Sequence, residues 1–559
     1  MKLRLKNIPV LIILVGLSLA LCSPRLSGPI DLRYDAGVYY ILGTSLAEGK
    51  GYRLLSEPGQ IEAIQYPPLL PALVTLHQWG LRTSDPVVVG RALRWSFLFI
   101  FCAYIAAVYA WVARYLSPGY GLLAALACLA SPRAHFMSDM LFAEIPYALA
   151  TALFFLAAGS PRLRDRPLWA FVPAAAAYLL RTTGIALLAA WVAESLVRRQ
   201  FRQAALRGAL ALVPVLAWQW HVARVQSGPE YARPAYAYQR AGYQFYNVSY
   251  AEQLAYIDMF APELGRAATA DLVRRMASNL AAIPMQLGEP VVLERWTAEE
   301  AAQRAGRKLL GGTVPAWLIA LPLALFSGLI LAGALRLLID KEWLVPLYLA
   351  FYLVLVCATP WPGQFLRYLV PTAPVLALCL CRALAAWQGF TRRRWAEKGR
   401  LVGAAPLALT AAVILFQGWY GAFQWSRYYR EAVYYDAQGS PHAYRLFFYD
   451  PPWRAFDTSL EWLKRHARPG EVVASVAPHW VYLKTGLKAV MPPYEADVAV
   501  AQKLLDGVPV RYVIVDSLEF LDISRRYADP VVQAHPERWT PAYVAPDRRV
   551  RIYQRVHAP

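Results

Sequence analysis

Charged residues are scarce in this chain: Asp, Glu, Lys and Arg make up 17% of its 559 residues, against roughly a quarter in an average soluble domain. With 58% apolar residues, that scarcity excludes intrinsic disorder. Cysteine is also rare. Six in the whole chain exclude a small disulfide scaffold, and Cys22, Cys102, Cys128, Cys357, Cys379 and Cys381 all lie inside apolar runs. No CxxC or HExxH spacing announces a metal site. Gly49-Lys50-Gly51 lacks the glycine spacing and following Ser/Thr of a phosphate-cradling loop. Acids are outnumbered, 37 against 57 bases, for a net charge of +20. In a soluble protein that excess points to a polyanion. Here no basic module interleaved with aromatics is present, which removes nucleic acid as a partner.

What the chain has in abundance is long apolar runs. A bilayer core of about 30 Å takes about 20 apolar residues in a helix. Candidate spans fall at 8–23, 88–113, 118–131, 142–159, 167–180, 184–197, 205–222, 313–337, 343–359, 368–386 and 402–423. The first reads as an uncleaved anchor. Basic residues then set the direction, because short cytoplasmic loops collect Lys and Arg. With the N-terminus inside, Lys2, Arg4 and Lys6, Arg114, Arg162, Arg164 and Arg166, Arg198, Arg199 and Arg202, Arg336 and Lys341, and the 392–400 cluster all face the cytoplasm. This phase predicts a transmembrane domain over 1–424, with outer loops 24–87, 132–141 and 223–312. An extracytoplasmic linker and small α/β domain follow over 425–559, in a chain of the cytoplasmic membrane.

The first outer loop carries the sharpest chemical signal. Residues 31–51 read DLRYDAGVYYILGTSLAEGKG, where Val38, Ile41, Leu42, Ser45 and Leu46 recur at helical spacing. The run is too short to span, so the pattern predicts an amphipathic helix lying flat on the outer interface. Asp35 stands at its start, where a carboxylate can cap free backbone N–H groups or serve chemistry. Residues 61–76, IEAIQYPPLLPALVTL, follow Tyr66 with paired prolines that stop an ordinary span. In the second outer loop, Asp139 and Glu144 lie at the boundary of the next span. Carboxylates there are costly unless paired or hydrated, and so are functional candidates. Arg53, Arg181 and Arg367 sit in outer positions, where a guanidinium can snorkel or present a forked donor set to a lipid phosphate.

An acid soon after the first span, the helix end AEGKGY, the run YPPLLPAL and the late RYLVPTAP together resemble the polytopic GT-C glycosyltransferases. The nearest branch is the bacterial protein-mannosyltransferase and aminoarabinose-transferase (ArnT-like) group. The resemblance implies a GT-C-like fold of about 11 transmembrane helices, with the carboxylate of the first outer loop, Asp35, as catalytic residue. It matches Glu144 to the family's second acid. It implies a polyprenyl-phosphate sugar donor, a lipid, glycan or protein acceptor, and transfer with inversion on the outer face; it fixes no cofactor, a divalent metal ion being the one candidate. Asp35 and Glu144 are then the catalytic candidates, and Arg53, Tyr66, Asp139, Arg181 and Arg367 the substrate-binding ones. Two positions depart from the pattern: Ala36 stands where many members have a second acid, and Tyr66 where several have Lys.

Tyrosines crowd 231–260, suiting an interfacial loop, and 425–453 reads as an interfacial linker. Beyond it, EVVASV, KAVM and VRYVIVD alternate with helical stretches at 477–485, 496–507 and 518–527, and 541–545 with 549–556 form a closing hairpin. A small α/β domain results. RYVIVD without a following GxGxxG makes a nucleotide site there weak. Two rival functions share the composition: a transporter or lipid flippase, and a non-catalytic envelope-assembly protein. The first needs a midplane pathway of charges, whereas these acids cluster at one face.

Overall fold

In the computed structural model every one of these apolar runs is helical: Ile8–Cys22, Pro86–Tyr115, Pro118–Leu129, Glu144–Ala158, Leu168–Leu180, Ile185–Val197, Phe201–Gln226, Ala316–Ile339, Leu344–Cys357, Ala373–Trp395 and Lys398–Tyr428. The structure describes residues 7–556 apart from 162, 164–165, 310, 396–397, 429, 436–439, 447–448 and 519–521. Of the orientation signals, Lys2, Arg4, Lys6, Arg162 and Arg164 lie outside the described residues. Among the described residues five stretches are long and apolar enough to cross a membrane: Ile8–Arg25, Pro86–Tyr115, Ala316–Ile339, Phe365–Trp395 and Arg400–Phe423. Large apolar side chains such as Phe99, Leu321, Leu335 and Leu415 stand exposed on these helices. Water would penalise such a surface, and lipid does not. The chain is a multi-pass membrane protein.

The chain folds as two compact units. One comprises Met1–Leu26, Arg94–Leu216 and Val273–Tyr428; the other comprises Ser27–Leu93, Ala217–Leu272 and Tyr429–Pro559. In the first, Ala373–Trp395 is the inner helix, buried continuously from Ala373 to Cys381. Its small residues let a neighbour come close, as membrane helices require. At Gly333 of Ala316–Ile339, a Cβ would lie 1.8 Å from the Cys379 carbonyl oxygen, so only glycine fits. The thiols here are packing residues, and all six cysteines are free.

The second unit joins two helices, Asp35–Ala47 and Leu69–Leu81, to a sheet domain. The flat interfacial helix expected over the first of these is not what forms. Val38, Tyr39, Tyr40, Ile41 and Leu42 are buried in succession, and a helix apolar all round belongs in an interior. The expected linker also differs, because β1 (Arg430–Tyr435) and β2 (Pro441–Leu446) pair antiparallel from Arg430↔Leu446 to Tyr435↔Pro441. Val433 and Tyr434 in the first run and Tyr444 in the second favour that ladder.

The α/β domain follows its sequence pattern. Strands β3 (Val472–Ala474), β4 (Lys488–Val490), β5 (Val510–Val515), β6 (Trp539–Val544) and β7 (Arg551–Arg555) form one sheet in the order β4-β3-β5-β7-β6. The first three are parallel and the last two antiparallel. The helix expected at 518–527 starts later, as a wide turn at Ser524–Ala528 running into Asp529–Ala534, with 519–521 outside the described residues. Val472, Val490, Val510, Val513 and Val515 meet Tyr236 and Tyr238 in one apolar core.

Candidate functional site

Asp35 is the first residue of its helix and is buried. Its charge at that end is favoured by the helix dipole. The preceding residue, Tyr34, has φ 56° and ψ −140°, a region that costs a non-glycine residue about 1–3 kcal/mol. Just upstream, Arg33 and Asp31 form a buried pair, with Nε 3.0 Å from both carboxylate oxygens and Nη2 2.6 Å from Oδ2. Burial opposes the guanidinium's charge, and Asp31 more than restores it, so the Arg33 pKa is raised.

Tyr66 shares this unit. Its ring packs 4.8 Å from Tyr39 and 6.2 Å from Tyr250. Its hydroxyl is buried without a hydrogen-bond partner. Burial, with the negative field of Asp35 next in weight, holds the phenol well above its usual pKa. A buried hydroxyl without a partner costs free energy. Arg53 is differently engaged. It donates to Glu230 at 3.0 Å and to the Gln60 carbonyl at 2.8 Å, with Glu62 at 3.5 Å, and so staples two loop segments.

Two further polar groups in this unit carry no sequence motif. Glu57 is buried, accepts from Tyr236 at 2.8 Å and Gln239 at 3.2 Å, and is pushed up to about 7 by burial. His479 is buried, its Nδ1 lies 2.8 Å from Ser56 Oγ, and its Nε2 has no partner. Burial lowers its pKa to about 3, so the ring is neutral. The Tyr246 ring meets its edge at 4.5 Å.

The transmembrane unit holds the remaining candidates in two clusters. Asp139 is buried and paired with Arg94 at 2.8 Å, with Arg25 at 3.7 Å. Arg25 also donates to the His135 carbonyl at 2.8 Å. This network ties the start of the chain to the short helix Pro132–Asp139. Glu144 opens the helix Glu144–Ala158, and its Oε1 accepts from Arg181 at 2.5 Å and Arg367 at 2.6 Å. Its Oε2 is buried without a partner. Arg367 lies over the Phe142 ring at 4.4 Å and Arg181 over Tyr368 at 5.7 Å. The side chains of Arg181 and Arg367 keep 14% and 19% of their surface exposed, against 0% for Glu144, so the cations are reachable and the acid is not.

Beside this cluster lies a cavity of about 980 Å³, lined by Pro146, Leu149, Leu153, Trp169, Val172 and Leu180, with Arg114 and Ser160 also on its wall. Pro146 and Leu180 are chain neighbours of Glu144 and Arg181, so the apolar wall begins where the cations end. Among the described residues no three His, Cys, Asp or Glu side chains gather as a metal site. Ala36 follows Asp35, and both Asp31 oxygens are engaged by Arg33. This donor set does not fit a resident divalent ion.

No protein-family model matches the chain, and no curated protein matches it by sequence. Solved structures do match in fold. The oligosaccharyltransferase AglB of Archaeoglobus fulgidus, in complex with an inhibitory peptide and a dolichol-phosphate, aligns at TM-score 0.51 and 13% identity, over 99% of this chain and 74% of its own. The same organism's enzyme with Zn and sulfate aligns at 0.53 and 13%, over 98% and 73%. ArnT from Cupriavidus metallidurans bound to undecaprenyl phosphate aligns at 0.52 and 12%, over 98% of each chain. The likeness shows that the chain shares the fold of these proteins.

Proposed function

We propose that this protein is a membrane glycosyltransferase. It moves a sugar from a polyprenyl-phosphate donor to a lipid, glycan or protein acceptor on the outer face of the cytoplasmic membrane, with inversion. The observation that carries the reading is the pair of partly exposed arginines, Arg181 and Arg367, on the buried Glu144 at the head of an apolar cavity. Two partly exposed guanidinium groups near a long apolar wall suit a phosphate that carries a hydrocarbon tail. Guanidinium forks recognise phosphate oxygens in pairs. The fold likeness to proteins solved with dolichol-phosphate and with undecaprenyl phosphate supports the same ligand class.

In this mechanism the acceptor oxygen forms a bond to the anomeric carbon while that carbon's bond to the phosphate oxygen breaks. The electron pair stays on the polyprenyl phosphate, and the acceptor's proton passes to the Asp35 carboxylate. General-base assistance of this kind gives about 10²–10⁴ in rate. Arg181 and Arg367 stabilise the charge growing on the leaving phosphate, an electrostatic contribution largest in the transition state. Glu144 acts as the counterion that holds both cations in place, and Tyr66 bonds a sugar hydroxyl. Asp139 and Arg53 serve the scaffold through their ion pairs.

The test is transfer by purified, reconstituted protein from polyprenyl-phosphate sugars, wild type beside Asp35→Asn. Sugar release or transfer that disappears in the variant supports the assignment. Equal behaviour of the two folded proteins overturns it. Movement of labelled lipid across vesicles without sugar transfer would make the protein a flippase instead.

A further inference from the structure

The residue before Asp35 pays a conformational cost that its own segment does not explain. Tyr34 adopts φ 56° and ψ −140°, a combination glycine reaches freely and a bulky aromatic does not. Glycine at 34 would remove the strain, yet the chain places a tyrosine there, so the side chain must hold the backbone from outside. It does so through the C-terminal domain. Its hydroxyl accepts from Trp453 Nε1 at 3.0 Å, and the two rings meet edge to face at 5.1 Å and 72°. The same indole lies 5.0 Å from the Arg33 guanidinium, which Asp31 fixes from its other side. Tyr449, 5.4 Å from Arg33, donates to Asp457 at 2.7 Å, and Trp480 donates to the same carboxylate at 2.7 Å.

A second contact from this domain falls just after Asp35. At Gly37 a Cβ would lie 3.0 Å from the Leu32 carbonyl oxygen and 3.2 Å from His479 Cβ. His479 is anchored in turn by its bond to Ser56. The C-terminal domain therefore touches the chain one residue before Asp35 and two residues after it.

We propose that Trp453 is a positioning residue for Asp35: its hydrogen bond to Tyr34 holds the turn that aims the carboxylate, and the C-terminal domain thereby sets the pose of the proton acceptor. The inference rests on the reading of Asp35 given above. Without the bond, Tyr34 relaxes toward negative φ and the first turn of the helix rotates with it. Misplacing a reacting group by about 1 Å is enough to lose about 10²-fold in rate.

The experiment is a double-mutant cycle on the full-length reconstituted protein, with Trp453→Phe, Tyr34→Phe and the pair. Both substitutions keep an aromatic ring and remove one partner of the bond. The expected result is a fall in kcat of about 10- to 100-fold in all three variants, no greater in the double than in either single. KM for the polyprenyl-phosphate sugar should stay within about twofold, because uniform binding is untouched. Amide hydrogen exchange, which needs no substrate, should quicken in peptides covering 31–40 and stay unchanged over β3 and β5. The proposal is overturned by wild-type kcat and exchange in Trp453→Phe, by a loss confined to KM, or by additive losses in the double variant. If the wild type transfers no sugar, the proposed function fails, and exchange alone decides the clamp.

Discussion

Arg181 and Arg367 donate to one and the same oxygen of Glu144, at 2.5 and 2.6 Å, while the acid's second oxygen is buried without a partner. A carboxylate that only neutralised a cation would sit with one arginine in a two-pronged pair. Sharing a single oxygen between two arginines holds both guanidinium groups on one acid, each with part of its surface exposed. Two guanidinium groups held in this way suit the oxygens of a phosphate.

Removing the acid therefore has a different outcome from removing either base. Glu144→Ala leaves two cations close together with their counterion gone, and breaking a buried pair costs about 3–5 kcal/mol. Thermal unfolding of the reconstituted variant should show a strong loss of stability. Arg367→Gln leaves Glu144 paired with Arg181, so the fold should survive. Binding of undecaprenyl phosphate, measured by calorimetry in detergent, should weaken by about tenfold or more, the scale of one lost charge-assisted bond of about 1.5–3 kcal/mol. A variant that binds the lipid phosphate as tightly as wild type would remove Arg367 from the site.

Asp139 gives the contrasting case. Its carboxylate is taken up by Arg94 and Arg25, so Asp139→Asn should lower the melting temperature and the yield of folded protein. Turnover per folded molecule should stay close to wild type. A selective loss of kcat in well-folded Asp139→Asn would instead place it in the chemistry.

Glu57 makes stability depend on pH with a definite sign. Burial raises its pKa from 4.5 to about 7 in the folded state, so between those values the folded chain binds the proton more than the unfolded chain does. Its contribution is complete below pH 4.5 and is lost as pH rises toward 7, about 3 kcal/mol in all. Asp516, pushed to about 7 by its own burial, adds in the same direction. The difference in melting temperature between Glu57→Gln and wild type isolates the one residue. The variant should gain on wild type between pH 4.5 and 7, and parallel curves would refute the assignment.

His479 works in the opposite sense. Burial lowers its pKa from 6.5 to about 3, so the unfolded chain takes up the proton first. Its contribution is complete above pH 6.5 and fades as pH falls toward 3. His479→Gln, which can still bond Ser56, should flatten the acid limb of the stability curve without shifting the neutral plateau by more than about 1 kcal/mol. An unchanged acid limb would mean that the imidazole is protonated where it sits.

Much of this architecture is written locally. Apolar length marks the spans, and alternation of VVASV and VRYVIV with helical runs marks the α/β domain. The position of Asp35 soon after the first span singles it out as a candidate acid. The pairings are not local. Arg367 reaches Glu144 across 223 residues, and His479 reaches Ser56 across 423. Sequence identifies Glu144, Arg181 and Arg367 singly as boundary charges, but nothing in their spacing says that they share an oxygen. Glu57 and Tyr34 leave still less trace, because burial and a positive φ are properties of the folded chain. The interfacial helix expected at 35–47 fails for a related reason: VYYIL is apolar on every face, and periodicity alone credits only one.

The cavity supplies the last test, because its shape makes a prediction about chain length. Leu153 and Val172 line it from the two facing helices Glu144–Ala158 and Leu168–Leu180. Their side chains face an apolar space that none of the described residues fills. A polyprenyl tail lying there gains about 0.8 kcal/mol for each CH₂ it buries, so long donors should outbind short ones in wild type. Val172→Trp narrows the space without touching Arg181, Arg367 or Asp35. KM should rise severalfold for a long-chain polyprenyl-phosphate sugar and hardly at all for a short-chain analogue, with kcat preserved for both. If Val172→Trp raises KM equally for long and short donors, the tail lies elsewhere and the cavity is not its seat.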